Sequence, residues 1–209
     1  MKKEGKFKKF WDKFWFIVWK DNSFKGWLIS IIFLFIIIKF VFFPLLELST
    51  GTKLPLVIVE SCSMHHQGHL ISNFDNWWGK HETKYFKYQI TKENFKEFSM
   101  KKGFSKGDIL FIVGVKPKKI KQGNIIIFEA NYKNPIIHRV ISINQEKGKY
   151  IFSTLGDNNS GQLMIEEEIS EEQIIGKAVF NIAPYFGWIK LYLFEFQKPE
   201  SERGFCEEN

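Results

Sequence analysis

Hydrophobic positions fall into two regimes along the chain. From Trp27 to Leu46 the sequence reads WLISIIFLFIIIKFVFFPLL, an apolar run broken by Lys39 and, late on, Pro44. A helix of about twenty residues rises about 30 Å, the thickness of a bilayer's hydrocarbon core. The pattern predicts a transmembrane helix over residues 26–47. Lys39 opposes insertion by roughly 3 kcal/mol at mid-bilayer, but its stem can snorkel outward and the Ile, Phe and Leu around it outweigh it. The run is too long for the core of a cleaved leader, and no small-residue cleavage site follows, so a retained anchor is expected.

Beyond the span the pattern changes to short runs rich in β-branched residues: Leu54 to Glu60, Asp108 to Val115, Asn124 to Ala130, Ile136 to Asn144, Tyr150 to Thr154 and Ile174 to Ile182. Gly, Asn, Lys and Pro clusters separate them, as strands and turns require. Residues 48–196 are therefore expected to form a mainly β domain. An aromatic, less regular insertion at 65–103 interrupts it, read as a small lobe with some helix. Trp77 and Trp78 in that lobe either dip to the headgroup level, where indole rings are favoured, or pack on the β core, and the membrane contact is preferred. Tyr185 to Phe196 is too short to span and is read as interfacial or core-packed, and 197–209 as a polar tail.

Charge adds an orientation. The formal charge is +7, and residues 1–25 hold eight Lys against Glu4, Asp12 and Asp21, which accounts for most of it. The rest is near neutral, unlike a groove for a phosphate backbone, so no nucleic-acid partner is expected. Within 1–25, KFKKFWDKFWFIVWKDNSFK mixes Lys with Phe and Trp and reads as an amphipathic helix on the anionic cytoplasmic leaflet. A Lys-rich flank stays inside, which places the N-terminus in the cytoplasm and the β domain outside, in a single-pass topology. Cys62 and Cys206 stand far apart without metal-ligand spacing, so the sequence indicates neither a disulfide framework nor a zinc site.

Candidate chemistry lies in three places. Ser61-Cys62-Ser63-Met64 follows the first outer strand. A serine hydroxyl needs a base within hydrogen-bond reach to become a nucleophile. In Ile136-Ile137-His138-Arg139-Val140-Ile141 a His and an Arg interrupt an apolar strand, and an imidazole is the natural base at neutral pH. Asp157 sits in the turn Gly156-Asp157-Asn158-Asn159, where an acid usually satisfies backbone amides. His65, His66 and His69 follow the serines; the spacing of His65 and His69 suits a zinc-binding helix face, but no third ligand has evident spacing and a solvated loop is preferred.

Taken in order, these pieces resemble type I signal peptidases of the archaeal and endoplasmic-reticulum branch, which use a Ser-His pair. The matching parts are the N-terminal span, Ser61 to Met64, Lys106-Gly107-Asp108-Ile109-Leu110, His138-Arg139-Val140 and Gly156-Asp157-Asn158-Asn159. Ile175 to Phe180 and Gly187 to Leu191 look like the family's C-terminal end. The likeness covers most of the chain outside residues 65–103. It implies coiled β-sheets in a partial barrel, and a membrane-bound serine endopeptidase that removes signal peptides from exported precursors.

In that scheme Ser63 is the nucleophile, His138 the general base and Asp157 the acid that orients it. Ser61 and the Ser63 amide form the oxyanion hole, and Leu56, Ile58, Val59, Cys62 and Met64 line shallow substrate pockets. No cofactor or metal is implied. The partners are signal peptides, the lipid bilayer and protein-export machinery, at the cell membrane or, in a eukaryote, the endoplasmic-reticulum membrane. Departures are Cys62 where the family usually has Gly, His66 where it has Pro, and Gln162-Leu163 where a further acid usually follows; Glu166, Glu167 and Glu168 are the available substitutes. Two other readings stay open: a non-catalytic anchored β-domain that binds exported proteins, and a related protease dedicated to pilin-like substrates.

Overall fold

A computed structural model describes residues 4–68, 74–132 and 134–207, and the chain divides into two compact units at Ser49/Thr50. In the first unit, α1 (Glu4–Trp19) leaves Phe7, Phe10, Trp11, Phe16 and Trp19 exposed. Its Phe14 ring meets Phe33 of α2 (Phe24–Ile37) at 5.2 Å, and Ser30 donates to the Val18 carbonyl at 2.7 Å. The helix continues through a π-helical segment, Ile38–Phe42, into α3 (Phe43–Thr50). Pro44 has no N–H to return to the preceding turn, and widening to a π segment is how a helix absorbs such a defect. The helix Phe24–Thr50 is long and apolar enough to cross a membrane, with an 18-residue window of mean hydropathy 2.8. It runs further at both ends than the apolar stretch alone indicates; at its start the Ser23 hydroxyl accepts from the Gly26 amide and caps it.

The second unit is a curled, seven-stranded antiparallel sheet in the order β1-β2-β7-β3-β4-β5-β6. Its strands are β1 (Leu56–Ile58), β2 (Ile109–Val113), β3 (Ile125–Phe128), β4 (Ile136–Glu146), β5 (Lys149–Leu155), β6 (Ile169–Ser170) and β7 (Ile174–Ala183). The mainly β fold expected from the sequence is the one observed. β4 outruns its apolar pattern because Lys147 and Gly148 both take positive φ, giving a two-residue turn that pairs Glu146 with Lys149. β3 is buried along its length, since it lies at the centre of the sheet between β4 and β7.

The insertion supplies α4 (Phe74–Phe86) and α5 (Lys92–Glu97), the latter capped by Thr91 and Asn94 in a reciprocal box. Trp77 and Trp78 are 2% and 4% exposed, packed with Tyr85, Ile90 and Phe95 onto Ile141 of β4 and Leu155 of β5. This corrects the expected headgroup contact: the indoles build a core between helix and sheet. Of 185–196, α6 (Trp188–Leu191) buries Leu191, while Phe186, Ile189, Tyr192, Leu193 and Phe196 remain exposed.

Phe95 is fully buried at the centre of the aromatic cluster. Phe95→Ala is expected to destabilise the second unit by about 3–5 kcal/mol, read as a lower denaturant midpoint with an unchanged slope.

Candidate active site

After β1 the chain leaves the sheet in a tight turn whose conformation is fixed from inside. Met64 is 1% exposed and joins Val59, Phe104, Leu110 and Ile125 in the core. Its sulfur accepts the Asp157 amide at 3.3 Å and its carbonyl accepts the Phe104 amide at 3.0 Å. With that side chain driven inward, the neighbouring Ser63 stays partly exposed. Asn158 holds the other side: its amide donates to the Ser63 carbonyl at 2.7 Å and its side chain to the Cys62 carbonyl at 3.1 Å. The turn carrying the serine is thus clamped to the Gly156-Asp157-Asn158 turn that follows β5.

His138 lies on β4 opposite Ile126 of β3, where ladder hydrogen bonds and packing restrict the ring. Its Nε2 lies 2.8 Å from Ser63 Oγ, and its Nδ1 hydrogen-bonds the carboxylate of Glu166. A carboxylate only accepts, so Nδ1 carries the proton and Nε2 presents its lone pair to the serine hydroxyl. Gly156 has to be glycine here: a Cβ would stand 2.9 Å from His138 Nε2 and 2.7 Å from the Asn159 side chain. Ser61 Oγ is 3.2 Å from Ser63 Oγ. Serine, imidazole and buried acid form a linear relay, the geometry of a nucleophile–base–orienter triad.

The third member differs from expectation. Asp157, read as the acid behind His138, does not touch it. Arg139 follows His138 on β4 and so points to the opposite face. It donates through Nε to Asp157 Oδ1 at 2.9 Å and through Nη2 to Oδ2 at 2.6 Å. His66 Nε2 and the Tyr85 hydroxyl, at 2.9 and 2.7 Å, complete the carboxylate's partners. Burial pushes the Asp157 carboxyl up, but Arg139 and His66 hold it well below the usual carboxylate range. It is committed to this network and has no lone pair to spare for His138.

Glu166 fills the orienting position instead. It is wholly buried, with one oxygen accepting from Thr154 at 3.0 Å and the other from the Leu163 amide at 3.0 Å. Glu167 and Glu168, identical in chemistry, are exposed. Nothing in the spacing singled out Glu166. The short 3-10 turn Met164–Glu166, which aims this residue inward, is what distinguishes it.

Other expected residues are placed as follows. Leu56 and Ile58 of β1 are partly exposed, whereas Val59 and Met64, also expected to line substrate pockets, are core residues with no surface for a ligand. Cys62 is not a free pocket residue: it forms a disulfide with Cys206, a bond the sequence reading did not indicate. Their separation of 144 residues hid a pairing that only the fold brings together. His65 and His66 do not lie in a solvated loop; they are 5% and 0% exposed, and His66 stacks on Trp77 at 3.6 Å. His69 is outside the described residues.

No family model matches the chain. Curated relatives do. The signal peptidase complex catalytic subunit SEC11C of Homo sapiens is 30% identical over 111 residues, 48% of this chain and 55% of that protein. SEC11C of Canis lupus familiaris gives the same figures. The signal peptidase complex catalytic subunit SEC11 of Lachancea thermotolerans is 33% identical over 106 residues, covering 46% of this chain and 62% of that protein. The chain thus spans little more than half the length of the curated relatives it matches. It is a relative of the type I signal peptidases of the endoplasmic-reticulum and archaeal branch.

Burial lowers the pKa of His66 from 6.5 to about 4, against the pull of the Asp157 carboxylate. Between those values the unfolded chain binds a proton that the folded one refuses. Stability is therefore lost as pH falls from 6.5 toward 4, by at most about 1.4 kcal/mol per pH unit from this group. Denaturant midpoints of the chain in detergent are expected to fall across that interval, and His66→Gln is expected to flatten the slope.

Proposed function

We propose that this protein is a membrane-anchored serine endopeptidase that removes signal peptides from exported precursors, with Ser63 as nucleophile, His138 as base and Glu166 as the acid behind it. The observation that carries this reading is the 2.8 Å contact of Ser63 Oγ with a His138 ring whose other nitrogen is held by a buried carboxylate.

In this mechanism His138 Nε2 takes the Ser63 proton as Oγ attacks the scissile carbonyl, and Glu166 stabilises the imidazolium that forms. Charge developing on the carbonyl oxygen is received by the Ser63 amide and the Ser61 hydroxyl; a donor of this kind contributes about 3–4 kcal/mol to the transition state. The imidazolium then protonates the leaving amine. Water, deprotonated by the same ring, resolves the ester. Among the described residues β1 pairs only with β2. An extended substrate can add to its other edge through main-chain hydrogen bonds whatever its sequence, with Leu56 and Ile58 beside it selecting small side chains.

The Lys-rich segment before the span supports a cytoplasmic N-terminus. The Cys62–Cys206 disulfide fits an outer unit on the oxidising side of the membrane. Tethering of enzyme and precursor in one bilayer raises the effective concentration of the cleavage site. The relatives' names speak of a signal peptidase complex, and further subunits are accordingly proposed partners here.

The test is incubation of the purified chain in detergent with a precursor protein, followed by mass determination of both fragments. Ser63→Ala and His138→Ala are each expected to abolish cleavage with the fold retained. Glu166→Gln is expected to lower kcat by about 10³–10⁴-fold, because an amide cannot hold the required tautomer. Full activity in Ser63→Ala would overturn the proposal.

A further inference from the structure

After α6 the chain turns back toward the nucleophile. It passes through two 3-10 turns, Glu195–Gln197 and Glu200–Glu202, and is fastened at several points. Lys106, only 1% exposed, donates at 2.5 Å both to the Glu195 carboxylate and to the Glu202 carbonyl. Lys198 donates to the carbonyl of Glu60, just before the serine turn, at 3.0 Å. The Phe205 ring sits 4.5 Å from Trp188. The last fastening is covalent, from Cys206 to Cys62, with Cα atoms 5.5 Å apart. A cavity of about 250 Å³ lies beneath this strap, between His65, Ser105 and Tyr185 on one side and Phe205 and Cys206 on the other.

Cys62 stands between Ser61 and Ser63, so the bond pulls directly on the backbone that aims the nucleophile. Residues 61–64 have no strand ladder of their own. They are held by the buried Met64 side chain, by the two hydrogen bonds from Asn158, by the Phe104 and His65 amides on the Met64 and Cys62 carbonyls, and by the disulfide. All but the disulfide are non-covalent. The disulfide is the covalent restraint, and it ties Cys62 to the strap. A displacement of about 1 Å at a reacting group can cost 10²-fold in rate. Both cysteines are partly exposed, within reach of a thiol reagent.

We infer that Cys206 is a positioning residue for Ser63, and that the Cys62–Cys206 disulfide makes the peptidase redox-dependent; this rests on Ser63 being the nucleophile. The reductant is a dithiol. One of its thiolates attacks a sulfur of the bond to give a mixed disulfide, and its second thiol displaces the protein sulfur. The dithiol is oxidised to a disulfide by two electrons, and Cys62 and Cys206 become two thiols. The strap then keeps only its polar and aromatic fastenings, and the serine turn relaxes away from His138.

The experiment uses the full chain in detergent, air-oxidised, assayed on a precursor protein across a dithiothreitol titration while thiols are counted. The chain contains two cysteines, so reduction exposes two thiols per molecule. The expected result is a loss of about 10- to 100-fold in kcat in step with thiol appearance, KM within about threefold, unchanged near-ultraviolet circular dichroism, and recovery on reoxidation. Cys206→Ser is expected to show the same loss without reductant and no response to dithiothreitol. Activity within twofold of the oxidised protein, in the fully reduced chain or in Cys206→Ser, would overturn the inference and leave the proposed peptidase intact. Loss of activity together with loss of the folded signal would also overturn it, since the bond would then be a staple for the whole unit. An oxidised wild-type chain that cuts nothing would overturn the proposed function and this inference with it.

Discussion

The second unit is organised around a buried ion pair, Arg139 with Asp157, both side chains fully sequestered from water. A charge in that position is tolerated only when paired and saturated with hydrogen bonds. The requirement explains much of the surrounding architecture. Beyond Asp157, the guanidinium donates to the carbonyls of Ser99, Gly123 and Met100, and its face lies 4.7 Å from the Phe95 ring. The carboxylate takes His66 and Tyr85 as well as Arg139. The partners come from several stretches of chain, so the pair draws together β4, the turn after β5, the turn before β3, the segment after the serine, and the insertion. Removing either member would leave an uncompensated charge in the core, a loss of about 3–5 kcal/mol.

This geometry explains the division of labour between two acids. Asp157 and Glu166 both approach β4, and successive residues of a strand face opposite ways. Arg139 claims the acid on its side and His138 the acid on the other. Asp157 nevertheless reaches the site indirectly. Its backbone is continuous with Asn158, which grips the carbonyls of Cys62 and Ser63, and its amide caps the Met64 sulfur. The ion pair therefore fixes the turn that fixes the serine, while Glu166 fixes the imidazole. Distance and tautomer are set by separate parts of the fold.

The local features of this design were legible in the sequence and the long-range ones were not. Strands announced themselves because β-branched runs bounded by turn residues follow from backbone sterics over a few residues. Six of the seven were read in this way; β6, only Ile169–Ser170, is too short to carry a pattern. Ser63 and His138 stood out as polar residues in apolar company. The acid behind His138 did not, because Glu166, Glu167 and Glu168 differ in burial and not in composition. The Cys62–Cys206 bond and the pairing of His66 with Asp157 join residues far apart in sequence, and no local rule reports them. Trp77 and Trp78 misled for a related reason: an indole suits a headgroup region and a core equally well, and only the packing of the helix on Ile141 and Leu155, distant in sequence, decides between them.

The insertion can be understood from that same charge. A sheet covered on one face by water could not bury a guanidinium, since water would compete for every donor and screen the pair. The aromatic lobe excludes water: Trp77, Trp78, Tyr85 and Phe95 seal the face of β4 and β5 over Ile141 and Leu155. It also supplies hydrogen bonds that an all-apolar cover would lack, through Tyr85, Ser99 and Met100. Lys84 is drawn in too, donating to the carbonyls of Asp157 and Asn159 at 2.5 and 2.8 Å, and burial lowers its pKa to about 8 despite the Asp157 charge nearby. Its ammonium grips the outer side of the same turn that Arg139 grips from within. The lobe is therefore part of the scaffold of the serine turn. A shorter insertion that kept only the apolar cover would leave Arg139 short of acceptors, and the turn carrying Asn158 would lose the fastening that sets the serine against the imidazole.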